Sequence, residues 1–374
     1  MDYKSTLKGS VCFEWVRTNV WTNRAGPKHE DLVSHVAYGK HGLVDKTYLP
    51  FAVAGADGRL QRYAILPASG GYTSSTQYSF YQHPDTSKVA SDANPYVASA
   101  YSLTPDAHVI EQGAPGQTWQ PGSTHTVRST ATVNTTSYPV KYWKADGTTN
   151  SNYPSKSVFV SITTDENGNQ VRTYTNKLGQ TVLKQVQLDE TIGGQMTNWL
   201  ETYYIYDDFG NLSYQVPPKA MNVLGNGPNL DAKSTSIADL VYIYSYDTLG
   251  RLVEKKEPGA VVKYLVYDKY DRLVLTQDGA LRAQGRWAYV KYDAYGRTAF
   301  TGIYSNKRRR SAVQKWAAKA YTSSSSSYPD TNFAEYKQSG VDSLLGYSNV
   351  SFPKDSIFRL AASYYDSYDF NPNQ

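Results

Sequence analysis

Six histidines and thirty-three carboxylates are the residues of this chain with the reach for acid–base or metal chemistry. The histidines, His29, His35, His41, His83, His108 and His125, all fall in the N-terminal third. A nucleophile–base site needs a Ser or Cys beside a positioned His, and no local pattern sets such a pair here. His35 and His41 with Asp45 come nearest to a metal triad. They lack the close His-His spacing that brings two ring nitrogens onto one ion, so surface or loop placement is the expectation. Carboxylates for glycoside hydrolysis must face each other about 5–10 Å apart across a cleft. Asp207-Asp208 and Asp268 with Asp271 are the candidates, but each lies in a short frame where an aspartate bonds back to a turn. Asp165-Glu166-Asn167-Gly168-Asn169 has the flavour of a calcium loop without its distal glutamate. Gly113-Ala114-Pro115-Gly116 reads as a turn, because no Lys-Ser/Thr follows it. The expectation is a protein with no catalytic residue, no cofactor and no metal site, and so not an enzyme.

What does repeat is a turn. Tyr206-Asp207-Asp208-Phe209-Gly210-Asn211-Leu212 is followed by Tyr246-Asp247-Thr248-Leu249-Gly250-Arg251-Leu252. Then come Tyr267-Asp268-Lys269-Tyr270-Asp271-Arg272-Leu273 and Tyr292-Asp293-Ala294-Tyr295-Gly296-Arg297-Thr298. The third copy carries Asp271 where the others carry glycine. Thr175 to Thr181 and Thr164 to Asn169 keep the turn without the tyrosine, and Tyr38-Gly39-Lys40-His41-Gly42-Leu43 reads as a decayed copy. The alternation before each frame is that of a strand with two faces. The aspartate closes the turn and the glycine takes a positive φ, so each frame is the turn of a β-hairpin. Such hairpins bury a face only by stacking on their neighbours. Short helices are expected near Ser236–Leu240 and over Ala312–Ala320. Lys219–Ala238 and Ser323–Ser327 read as loops.

Composition agrees. Of 374 residues 34 are Tyr, against 10 Phe and 7 Trp, and the mean hydropathy is −0.56. Tyrosine favours strands and packs its ring while its hydroxyl stays wet, which suits thin sheets. In their regular places the tyrosines are structural. Trp119, Trp143, Trp199 and Trp316 stand outside the frame and are the residues better suited to stack on sugar rings. The net charge is +5, with one dense basic run, Lys307-Arg308-Arg309-Arg310. A solvated loop is its default reading, contact with phosphate or anionic glycan the alternative; no nucleic-acid partner is expected. The single cysteine, Cys12, excludes an internal disulfide framework and reads as a buried residue. No apolar leader follows Met1, and no apolar stretch is long enough for a transmembrane helix.

At these tyrosine–aspartate frames the sequence resembles the Rhs/YD-repeat superfamily. The wider pattern, Tyr204 to Lys219, Leu252 to Gly259, Val266 to Asp278 and Leu281 to Tyr304, with Glu111 to Trp119 upstream, is similar to the N-terminal part of large secreted Rhs-family proteins of Bacteroidetes. The resemblance implies an all-β fold, a YD-repeat strand spiral forming a partial β-shell with long irregular loops. Shells of this family enclose a toxin in Rhs effectors and Tc-type toxins. The chain lacks the family's Asp-Pro-x-Gly type autoproteolysis motif. The expected organisation is a poorly matched segment at 1–30, an irregular β region at 31–160, the hairpin array at 161–304, and a basic and Ser-rich loop leading to a further repeat at 305–374. The resemblance implies an extracellular or cell-surface place. The partners it implies are other protein chains: the rest of the shell, a cargo toxin, or an outer-membrane secretion and motility assembly. Surface glycans are the alternative partner.

Overall fold

The computed structural model describes residues 11–12, 30–39, 42–54, 65, 69–82, 91–192, 195–225, 230, 235–319, 333–337 and 346–365. The Ser323–Ser327 run and most of the first 30 residues lie outside them. Strand Val11–Cys12 pairs with Val36 and Ala37; the Cys12 side chain is not among the described ones. The protein is all-β, with short helices, and divides into two compact units. One comprises residues 1–138, 154–180 and 184–200; the other comprises 139–153, 181–183 and 201–374.

In the first unit Glu30–Tyr38, Val44–Ala54, Tyr96–Tyr101, Val109–Gly113, Thr126–Val133, Phe159–Thr164 and Gln170–Thr175 form an antiparallel succession, each strand paired with the next. This stretch is more regular than its Ser, Thr, Gly and Pro content suggests. Helix Thr76–Gln82, which the sequence leaves unannounced, places Tyr81 in a core with Val33, Tyr48, Phe51, Ile65, Tyr96 and Ala98. Its Gln77 is fully buried. That amide donates to the carbonyls of Leu49 and Pro95 and accepts from the Tyr72 hydroxyl, so the buried polar group is satisfied.

The second unit holds the strongest repeats. From Leu212–Val216 onward the strands Tyr242–Tyr246, Leu252–Lys256, Lys263–Tyr267, Leu273–Gln277, Arg286–Tyr292, Thr298–Ser305 and Ile357–Ala362 pair antiparallel in chain order. Each hairpin slips register at its tyrosine: Ile205 opposes Tyr214, and the next pair is Tyr206 with Leu212. The same bulge recurs at Tyr246, Tyr267 and Tyr292, and in the first unit at Tyr38 and Tyr101. A bulge twists the strand and leaves backbone groups out of the ladder.

Helices occupy the connections. Pro218–Leu224 starts on Pro218 at its first turn, where a missing N–H costs nothing; the sequence reads this stretch as loop. Thr235–Ala238 and Arg310–Ala317 fall close to the expected helices. The latter buries Val313 and Ala317, four residues apart on one face, against Val266, Leu275, Trp287, Tyr289 and Phe300. Its Gln314 pairs with the backbone at the Tyr267 bulge, accepting from N–H at 3.1 Å and donating to the carbonyl at 2.7 Å.

Candidate functional site: the repeat turn and a basic cleft

Each repeat turn is built around its aspartate. In the Asp207, Asp247, Asp268 and Asp293 turns the first N–H donates to the fifth carbonyl and the fourth N–H to the first carbonyl, at 2.8–3.2 Å. The aspartate Oδ1 accepts from the third and fifth N–H groups: Phe209 and Asn211, Leu249 and Arg251, Tyr270 and Arg272, Tyr295 and Arg297. Oδ2 accepts from the fifth side chain, Asn211 at 3.0 Å, Arg251 at 2.9 Å, Arg272 at 2.8 Å and Arg297 at 2.7 Å. Gly210, Gly250 and Gly296 hold φ of 85°, 74° and 78°, and Asp271 is forced to 60° in the same place. Burial opposes ionisation of Asp247 and Asp293, but the arginine and backbone donors outweigh it and hold both carboxyls below the usual range. With their lone pairs committed in this way, the hydrolytic candidates Asp207 and Asp268 are turn caps, while Asp271 accepts from Arg251 at 2.7 Å and Asp208 is exposed. Asp165 is another turn cap, accepting from Asn167, Asn169 and the Asn169 amide.

The tyrosine before each aspartate ties one hairpin to the one before it. Tyr246 donates its hydroxyl to the Leu212 carbonyl, Tyr267 to Leu252 and Tyr292 to Leu273, at 3.1, 2.8 and 2.8 Å. Each acceptor is the first residue after the preceding turn. Tyr206 donates likewise to Thr181, after the Asn176–Gln180 turn, at 2.9 Å. These hydroxyls are therefore bonded within the sheet, where the sequence suggests water. Burial accordingly raises the phenol pKa of Tyr206, Tyr246, Tyr267 and Tyr292. In the first unit Tyr101 donates to Val44, the residue following the decayed Gly39–Leu43 turn, at 2.7 Å. Tyr101 thus belongs to a repeat that sequence reading misses, because its turn runs from Ser102 to His108 and is longer than the frame. Arginines add a second tie. Arg251 lies over the Tyr267 ring at 5.2 Å, Arg272 over Tyr292 at 5.0 Å, and Arg297 over Tyr365 at 4.4 Å, within cation–π range.

The third turn position faces outward. Phe209 is 92% exposed, Leu249 70%, Tyr270 49% and Tyr295 83%. An apolar side chain at a hairpin tip gains nothing from burial within its own turn, yet these four copies carry Phe, Leu, Tyr and Tyr there.

The basic run lines a cleft of about 660 Å3 with Arg282, Tyr264, Gln277 and Glu254. Arg308 lies over Trp316 at 4.9 Å and Arg282 over Tyr264 at 3.9 Å. Arg310 Nη1 is buried and has no hydrogen-bond partner; its Nε is 4.0 Å from Glu254. The run is thus partly packed, with Arg282 brought to it from another element, and one glutamate faces the five cations Arg282, Lys307, Arg308, Arg309 and Arg310. Such a cleft attracts carboxylate, sulfate or phosphate groups.

The remaining sequence candidates scatter. His35 is buried on strand Glu30–Tyr38 against Tyr48, with ring centroids 5.4 Å apart, so the expected surface placement is corrected. Burial lowers its pKa to about 4, which keeps the ring neutral in a site formed by strand alternation. His41, His29 and His83 lie outside the described residues. Among the described residues no three His, Cys, Asp or Glu side chains gather as metal ligands. Trp143 is also a correction: it is buried against Tyr203 at 6.1 Å and offers no face to a sugar. Trp199 is covered by Arg172 at 3.8 Å, and Trp316 packs on the core. Trp119, beside His125 with ring centroids 5.3 Å apart, is 38% exposed.

A family model described as a domain of unknown function (DUF6443) matches residues 18–133. No curated protein matches the chain. Among solved structures, the crystal structure of TcdB2-TccC3 matches at 13% identity and TM-score 0.42, over 74% of this chain and 11% of that one. The same pair without its hypervariable C-terminal region matches at 13% identity and TM-score 0.43, over 75% and 11%. A Photorhabdus luminescens Tc holotoxin pore matches at 12% identity and TM-score 0.41, again over 75% and 11%. The chain spans about a tenth of the length of each. No helix among the described residues is long and apolar enough to cross a membrane.

Proposed function

We propose that this chain is a non-enzymatic structural component of the Rhs/YD-repeat kind, a wall of stacked hairpins that encloses or docks another polypeptide outside the cell. The observation that carries this reading is the outward third turn position, apolar in the Asp207, Asp247, Asp268 and Asp293 turns. A hairpin array tied by tyrosine and arginine presents these tips in succession, and exposed apolar groups in a row mark an interaction surface. The first aspartates of the repeat turns, Asp207, Asp247, Asp268 and Asp293, are spent on turn closure, which supports a structural role over catalysis. Toxin enclosure, or a place in an outer-membrane secretion and motility assembly, is the setting that the resemblance of the frames suggests.

Cross-linking mass spectrometry on the protein in its native envelope tests this. Lys269, in the Asp268 turn, is expected to cross-link to a second polypeptide. Turnover of a hydrolase substrate, with no cross-link beyond the chain itself, would replace the reading. Surface carbohydrate binding is the second reading, favoured by the exposed Trp119; a glycan array losing signal on Trp119→Ala would move it to first place.

A further inference from the structure

Strand Arg286–Tyr292 turns Trp287, Tyr289 and Lys291 inward. The first two are ordinary core residues. Lys291 is not: its side chain and that of Glu335 are both fully buried, with Nζ 3.0 Å from Oε1. The ammonium also meets the Asn349 side-chain Oδ1 at 2.5 Å and the Ser351 carbonyl at 2.9 Å. Glu335 is fixed from its other sides by the Ser351 N–H and hydroxyl on Oε1, and by the Ser348 hydroxyl and Val350 N–H on Oε2. Val274, Val290, Phe333 and Phe352 line the same pocket beside Lys291. The Asn349 amide nitrogen donates to the Lys354 carbonyl at 2.9 Å, which fixes the side chain's orientation.

A lysine amine and a carboxylate fully buried together, with a half-buried carboxamide against the amine, are the parts needed to make an amide. We propose that Lys291 and Asn349 join in an intramolecular isopeptide bond, with Glu335 carrying the proton. Lys291 first gives a proton to Glu335. The neutral Nζ adds its lone pair to the Asn349 side-chain carbonyl carbon. Glu335 then gives that proton to the amide nitrogen and takes a second proton from Nζ, the Cγ–Nδ2 bond breaks and ammonia leaves. The new bond is Nζ–Cγ. The proton that Glu335 then holds leaves with ammonia as ammonium, so one lysine charge is lost and no oxidant or co-reactant is needed. Burial lowers the pKa of Lys291 despite the attraction of Glu335, with Arg359 and Lys354 lowering it further, which favours the neutral nucleophile. The step happens once per molecule, so it does not make the chain an enzyme in the turnover sense. It would tie the strand before the Asp293 turn to a residue 58 positions later and close that loop covalently.

Intact-mass and peptide mass spectrometry of the purified full chain tests this directly. The expected result is a mass lower than the sequence requires by one ammonia, about 17 Da, and a proteolytic product joining the Lys291 and Asn349 peptides. Glu335→Gln is expected to restore the lost ammonia relative to its own sequence mass. Full sequence mass in the unmutated protein, with the two peptides recovered separately, would overturn the proposal and leave an ion pair only. That result is read from the unmutated protein and does not depend on whether the variant folds.

Discussion

At the residue scale, the tyrosine hydroxyl distinguishes a tied array from a row of independent hairpins. Tyr267→Phe and Tyr292→Phe each remove one donor and leave the Leu252 or Leu273 carbonyl short of a partner. Each is expected to cost about 1 kcal/mol in chemical denaturation. Because burial raises these phenols above 10.0, their contribution is complete below pH 10 and is lost as pH rises through the higher folded-state value. Stability should therefore fall on the alkaline side, less steeply in the double Phe variant. Asp247 behaves oppositely. Its pKa is held below 3.8, so its contribution is present above that pH and is lost as pH falls through the lower folded value. Asp247→Asn is expected to cost about 1–3 kcal/mol at pH 7, with the gap to the parent closing under strong acid in urea titrations.

At the element scale, the hairpin turns were readable from sequence because Asp, Gly and Arg at fixed offsets close a turn through their own backbone and side chains. Gly250→Ala tests that local logic. A methyl there meets nothing within 4 Å, but φ is +74°, so the expected loss of about 1 kcal/mol is purely conformational. What lies between turns was less legible. The Tyr–carbonyl tie depends on the register of two hairpins, and no offset within one frame announces it. Tyr101 falls outside the frame because its turn is longer, and helix Thr76–Gln82 is masked because Thr-Gln-Tyr-Ser-Phe-Tyr-Gln carries strand-favouring residues. The Lys291–Glu335–Asn349 cluster joins segments 44 and 58 positions apart, beyond any local pattern. Helix Arg310–Ala317 was visible as an amphipathic stretch, but its role at the Tyr267 bulge was not. Gln314→Ala removes both hydrogen bonds there and is expected to cost about 1–3 kcal/mol, measured by thermal unfolding.

On the scale of the whole molecule, the account is that repeated hairpins supply a wall and that the third turn positions supply its contacts. Replacing Phe209 and Leu249 with Ser should leave the melting temperature within about 1–2 °C, since surface changes away from packed groups are nearly neutral, while abolishing the Lys269 cross-link to a second polypeptide. The basic cleft adds an electrostatic term: charge reversal of Arg308 and Arg309 should weaken binding to a polyanion such as heparin, and added salt should do the same. The most direct measurement is cryo-electron microscopy of the chain purified from its native envelope. The account predicts an antiparallel hairpin array with density of another polypeptide against the Phe209, Leu249, Tyr270 and Tyr295 tips. A solitary chain with those tips in solvent and a substrate-filled pocket elsewhere would contradict it.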